Sequence, residues 1–225
     1  MRPVAFVLCL FALSTFGGCI SYEEEIWIAG DGTGRLHATI IFSQKVTQLV
    51  RDSTSGIPTP EDIQKRCERS EGVELDTVSS YVKDGKMHLT MEMRFANFAA
   101  LKKLQGKGQQ NNANLFGDVL ISRSDNGHIE FRRNVQVGKS DNNSSDDIFS
   151  QQLMRALLAG DTWKYTIYFP TSIVASNAQD WDPESRRASW QFDLVDLSEK
   201  PGSMRATLAP SPLDEALLKL FGHSE

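Results

Sequence analysis

From Met87 to Phe95 every second residue is large and apolar: Met87, Leu89, Met91, Met93 and Phe95 alternate with His88, Thr90, Glu92 and Arg94. Period two is the spacing of a β-strand with one face buried; wound into a helix, the same residues would spread around the whole cylinder. The pattern recurs in Leu36, Ala38, Ile40 and Phe42, in Trp163, Tyr165, Ile167 and Phe169, and in Ala188, Trp190, Phe192 and Leu194. Turn chemistry separates adjacent segments. Asp31-Gly32-Thr33-Gly34, Asp84-Gly85 and Asp125-Asn126-Gly127 supply residues that tolerate positive φ, and they predict hairpins that pair 22–28 with 35–42, 73–83 with 86–95, and 118–124 with 128–137. A short last strand is expected at 204–208.

Helical spacing occurs at 44–52. Thr59-Pro60-Glu61-Asp62 starts a second helix, with a cap residue, proline in the first turn and acids at the positive end of the dipole. Asn97 caps a short helix running to 105, and further helices are expected at 147–158 and from Ser211 onward, the last with Leu213, Ala216, Leu217, Leu220 and Phe221 on one face. The expected class is α+β: a mainly antiparallel sheet built from successive β-hairpins, with helices packed on it. Two polar stretches, 106–114 and 138–146, read as mobile loops. Residues 34–40 and 85–91 share a Gly-x-x-His-x-Thr pattern, which reads as two hairpins using the same turn and strand chemistry rather than as a duplication.

The N-terminus has a different character. Met1-Arg2 is followed by an uncharged apolar stretch at 4–13 and then by Gly17, Gly18 and Cys19, the order of a secretory signal. The stretch is too short for a transmembrane helix, which needs about 20 residues. Phe16-Gly17-Gly18-Cys19 resembles the lipobox of bacterial lipoproteins, with Phe16 in place of the usual Leu. The resemblance implies a signal peptide at 1–18, diacylglycerol and fatty acyl chains such as palmitate on Cys19, and a single α+β domain at 19–225 tethered through that residue. Ile20 after the cysteine resembles the outer-membrane sorting pattern of Gram-negative cells, on the periplasmic side. Only two or three residues separate Cys19 from the first expected strand, so the domain is expected to sit against the membrane.

The chain has 29 Asp+Glu against 24 Lys+Arg, a net −5, which argues against nucleic acid as a partner and against general attraction to anionic headgroups. Cys67 is the one cysteine beyond Cys19, so no internal disulfide is expected. Lys65, Arg66 and Arg69 near it could lower its pKa, but no spacing motif ties it to a base. His37, His88, His128 and His223 show no metal-ligand spacing and read as surface residues. Asp180-Trp181-Asp182-Pro183-Glu184 lacks the glycine and the closing glutamate of a calcium loop and reads as a solvated turn. Glu23, Glu24 and Glu25 read as a wet strand edge that discourages pairing with other chains. No nucleophile elbow, phosphate loop or dinucleotide fingerprint occurs, so no catalytic residue, metal or cofactor is expected. Trp163, Tyr165 and Trp190 are the candidate lining of an apolar ligand pocket, with core packing as the plainer role.

The segment 168–178, with Phe169-Pro170 and Asn177, followed by the Trp190-bearing strand at 188–194, is similar to a pattern in LppM-type envelope lipoproteins. That resemblance covers less than a quarter of the chain and implies an α/β lipoprotein domain with lipid or glycolipid binding. The expected function is therefore a non-enzymatic, membrane-anchored envelope lipoprotein that binds a lipidic ligand or an envelope protein. A soluble-ligand binding protein comes second and an envelope hydrolase third.

Overall fold

Each alternating segment becomes a strand, and the apolar phase of each strand turns toward a shared interior. The computed structural model describes residues 20–51, 57–104, 114–136 and 158–210. In chain order the elements are β1 (Ile20–Ile28), β2 (Gly34–Phe42), α1 (Gln44–Arg51), α2 (Pro60–Glu68), β3 (Val73–Lys83), β4 (Lys86–Phe95), α3 (Phe98–Lys103), β5 (Asn114–Arg123), β6 (Ile129–Gln136), β7 (Thr162–Tyr168), β8 (Ile173–Ser176), β9 (Asp180–Asp182), β10 (Arg187–Asp193), α4 (Leu194–Glu199) and β11 (Gly202–Leu208). The expected helices at 147–158 and beyond Ser211, and the loop at 138–146, lie outside the described residues apart from Leu158. The loop expected at 106–114 lies outside them too, except for Asn114, which opens β5.

The strands form two sheets. The larger has the order β3-β4-β2-β1-β7-β10-β9 and the smaller β5-β6-β11-β8. The three expected hairpins all form, as antiparallel pairs β1–β2, β3–β4 and β5–β6. Two expectations need correction. The large sheet is mixed, because β1 runs parallel to β7, with Ile26 opposite Ile167. The second correction concerns what covers that sheet. Its apolar face meets mainly the small sheet, because β6 and β11 carry their own alternating apolar phases: Ile129, Phe131 and Val135, then Met204, Ala206 and Leu208, all buried. The two inner faces pack on each other as in a sandwich. The helices are six to nine residues long and fill the ends and edges. Leu194, expected to continue a strand, instead starts α4, where it and Leu197 are buried.

Local chemistry agrees with these elements. Thr59 caps α2 by accepting from the Asp62 N–H (3.2 Å), while the Asp62 carboxylate accepts from the Thr59 N–H (3.1 Å). Asn97 caps α3 by accepting from Ala100 N–H at 2.9 Å. On β3, the large sheet's edge strand, a register shift between Leu75 and Thr77 frees Asp76 to join Glu74 on Arg94, at 2.8 and 2.6 Å. A bulge and paired charges of this kind blunt an edge against stray pairing.

The sequence likeness between 34–40 and 85–91 falls on two paired strands, and its equivalent threonines, Thr39 and Thr90, are Cα partners. The two leading glycines do different work. Gly85 has φ 71° in an open turn, whereas a Cβ on Gly34 would stand 2.2 Å from Phe95 Cζ and 2.5 Å from the Trp27 carbonyl oxygen. One glycine serves a turn and the other a close strand packing, so the likeness does not reflect equivalent roles. Gly34→Ala is expected to lower stability by about 1–3 kcal/mol through overpacking against backbone, measured as a fall in the urea midpoint at unchanged m-value.

Candidate functional site

The interior holds a charge pair that joins the two sheets. Along β1 the inward phase is Tyr22, Glu24, Ile26, Ile28, and along β6 it is Ile129, Phe131, Arg133, Val135. One residue on each inward face is charged, and the charges are opposite. Glu24 is 1% exposed and Arg133 0%. Arg133 donates to both carboxylate oxygens, from Nη1 to Oε1 at 2.5 Å and from Nη2 to Oε2 at 3.2 Å. Tyr22 Oη donates to Glu24 Oε2 at 2.7 Å. The Arg133 guanidinium lies 4.9 Å from the centroid of the Tyr165 ring. Tyr22 packs on Trp163 and Tyr165 at 5.3 and 5.6 Å between centroids. The expectation that 23–25 forms a wet edge therefore fails at Glu24: β1 is an interior strand, and the pleat turns its middle glutamate inward.

Burial pushes the Tyr22 hydroxyl well above its usual range, reinforced by the Glu24 charge, and burial raises Tyr165 in the same way. For Arg133 burial alone would favour loss of the proton, but the charge and hydrogen bonds of Glu24 outweigh it and raise its pKa. Neither tyrosine nor the arginine thus changes charge near neutral pH.

The three candidate ligand aromatics lie in this core. Trp163, Tyr165 and Trp190 are all buried, and none of them lines the grooves described below. Trp190 is fixed by its indole N–H, which donates to Asn177 Oδ1 at 2.8 Å; the same oxygen accepts from Arg205 N–H at 2.7 Å, and Asn177 Nδ2 donates to the Ser203 carbonyl at 2.8 Å. Asn177 therefore ties β10 of one sheet to β11 of the other. The Trp163 indole N–H is buried without an acceptor among the described residues.

The other singled-out residues stay apart. His37 and His88 sit on the outer face of the large sheet, the first 3.8 Å from Glu92 and the second stacked on Tyr81 at 5.0 Å. His128 lies at the β5–β6 turn. Cys67 is on the buried side of α2, and burial, with Glu68 beside it, raises the thiol pKa despite the neighbouring basic residues. Asp180 pairs with Arg187 at 2.7 Å, and Asp182 accepts from Ser185 Oγ and Glu184 N–H at 2.8 and 2.9 Å. Among the described residues no three His, Cys, Asp or Glu side chains converge as metal ligands. Cys19 and His223 lie outside the described residues.

A surface feature went unread in the sequence. The outer face of the small sheet forms an open groove of about 590 Å³, lined by Leu120, Ser122, Glu130, Arg132, Arg205 and Thr207 among others. Arg132 and Arg205 are Cα partners across β6 and β11. Neither forms an ion pair among the described residues. Like charges placed directly opposite each other oppose pairing of the strands, so this doublet is retained at a cost. A search for charged residues facing each other on polar phases would have needed the β6–β11 register, which joins residues more than 70 apart.

No family model matches the chain, and no curated protein matches its sequence. Among solved structures it is similar to the folded domain of the Mycobacterium tuberculosis protein LppM, determined by NMR, with a TM-score of 0.49 at 15% identity over 89% of this chain and 95% of that one. The Danio rerio Fcho1 Mu homology domain, solved with a bound Eps15 peptide, aligns with a TM-score of 0.24 at 11% identity over 86% of this chain and 80% of that one.

Removing one half of the buried pair strands the other charge. Glu24→Leu or Arg133→Met alone is expected to cost about 3–5 kcal/mol, while Glu24→Leu combined with Arg133→Met recovers most of it. Urea unfolding of the two singles and the double closes the cycle; additive losses would mean that the two groups do not act as a pair.

Proposed function

We propose that the chain is a membrane-anchored lipoprotein of the bacterial cell envelope with a non-enzymatic binding role, held by lipid on Cys19 at the outer membrane, periplasmic side, where the cell is Gram-negative. The observation that carries the reading is the closeness of the lipobox-like Cys19 to the fold: Ile20, the next residue, already pairs with Phe42 in β1. A lipid on Cys19 would hold the domain at the bilayer with no linker. Several acyl chains on one cysteine anchor stably where one would not. The interior aromatics are packed against one another, so a lipidic ligand or an envelope protein would be met at the surface. Intact mass of the protein extracted from membranes, beside Cys19→Ser, is the test. An N-terminus at Cys19 with added acyl mass is expected for the natural sequence and none for the variant; an unmodified mature chain in the soluble fraction would overturn the anchor.

A second reading, capture of a soluble ligand, is favoured by the groove on the small sheet. Two guanidiniums side by side, neither in an ion pair among the described residues and with one carboxylate, Glu130, in the same groove, suit a compact anion with two or more oxygens, which both can grip at once. Arg132→Ala with Arg205→Ala is expected to abolish calorimetric binding of inorganic phosphate or citrate while leaving the melting temperature unchanged or slightly raised. Equal heats from both proteins would remove this reading.

A further inference from the structure

The register of the large sheet brings a distant hairpin beside the N-terminus of β1. Ile20 pairs with Phe42, Phe42 with Met87, and Met87 with Val82; one step inward, Ser21 pairs with Ile41, Ile41 with His88, and His88 with Tyr81. The β3–β4 turn, Asp84 and Gly85 at φ 53° and 71°, is therefore at the same end of the sheet as the residue that follows Cys19. Three strand spacings separate them, on the order of 14 Å.

That turn is unlike an ordinary solvated hairpin. Val82 lies on the inward phase of β3, yet it is 75% exposed, because the hairpin runs past the packed interior. Tyr81 is 48% exposed and stacks on His88 with planes 8° apart. Lys83 and Lys86 face each other at the base of the turn. A bare aliphatic side chain, an amphipathic ring and two flanking lysines are what a bilayer's headgroup boundary accommodates: apolar tip toward the acyl region, ring at the interface, ammonium groups at the phosphates.

We propose that the β3–β4 tip, through Tyr81, Val82, Lys83 and Lys86, rests on the lipid bilayer as a second point of contact beside the lipid on Cys19. The inference depends on the anchor reading above. One valine and one tyrosine add little affinity next to acyl chains; they add orientation. Two contacts about 14 Å apart set the line along which that end of the large sheet meets the bilayer.

The test uses full-length lipidated protein in vesicles of phosphatidylcholine and phosphatidylglycerol, with a nitrobenzoxadiazole label at Val82→Cys or, as a control, at Leu120→Cys, both in a Cys67→Ala background. Both positions are exposed, so both variants are expected to fold. Quenching by spin-labelled lipid and a blue-shifted emission are expected at 82 and neither at 120. Equal, water-like emission at both positions in a chain that carries the acyl mass overturns the tip contact and leaves the anchor standing. A chain that carries no acyl mass overturns both. Labelled Cys19→Ser protein is expected to show no blue shift at 82, because the tip alone binds too weakly; strong vesicle binding by that variant would overturn the division of labour between anchor and tip.

Discussion

The two sheets meet across a buried guanidinium and a buried carboxylate, and the rest of the packing is arranged around that contact. Burying either charge alone costs several kcal/mol, which their mutual attraction offsets only with good geometry and with every remaining oxygen and N–H engaged. The structure meets much of that condition: two charge-assisted bonds from Arg133 to Glu24, a third from Tyr22, and the Tyr165 ring against the guanidinium. An apolar pair could match this in stability. It would not match it in specificity, because two sheets with plain apolar faces can slide over each other, whereas Glu24 and Arg133 reach each other in one alignment.

That alignment extends outward through the aromatics. Tyr22 and Trp163 are Cα partners across the parallel β1–β7 pair, and Trp190 lies opposite Tyr165 on β10. Tyr22, Tyr165 and Trp190 therefore occupy three adjoining strands, and Asn177 anchors the last of them to the small sheet. Trp163 and Tyr165, with Tyr22, pack around the ion pair, and Trp190 is buried opposite Tyr165. Their size is used to exclude water from the ion pair, which strengthens its electrostatics.

Much of the strand content was legible because alternation is a local signal. Met87 to Phe95 could fold in no other way, and Asp84-Gly85 fixed the turn before it. The helix starts at Thr59 and Asn97 were legible for the same reason, since a cap and its partner lie three residues apart. What stayed hidden depends on pairings across long separations. Glu24 and Arg133 are distant in sequence, and only the phase of each strand hinted at them: one charge within an otherwise uncharged inward row, once acidic and once basic. The short strands β8 and β9 carry too few residues to alternate visibly, and no feature of 20–28 announces a parallel neighbour that arrives more than a hundred residues later.

Under the anchor proposed at Cys19, the parallel pairing has a mechanical consequence. β1 sits in the middle of the large sheet, with β2 on one side and β7 on the other. Its ladders to both neighbours run nearly its whole length, from Ile20 to Ile28 with β2 and from Tyr22 to Trp27 with β7. Glu24 further binds it to the second sheet. A pull on Cys19 would therefore load a strand held on both sides and from within, rather than peel an edge strand away one hydrogen bond at a time. Placing the buried charge on the strand next to the anchor puts the costliest contact to break directly in line with that load. On an edge strand the same tether would have met a ladder on one side only, and the fold would have frayed from its point of attachment.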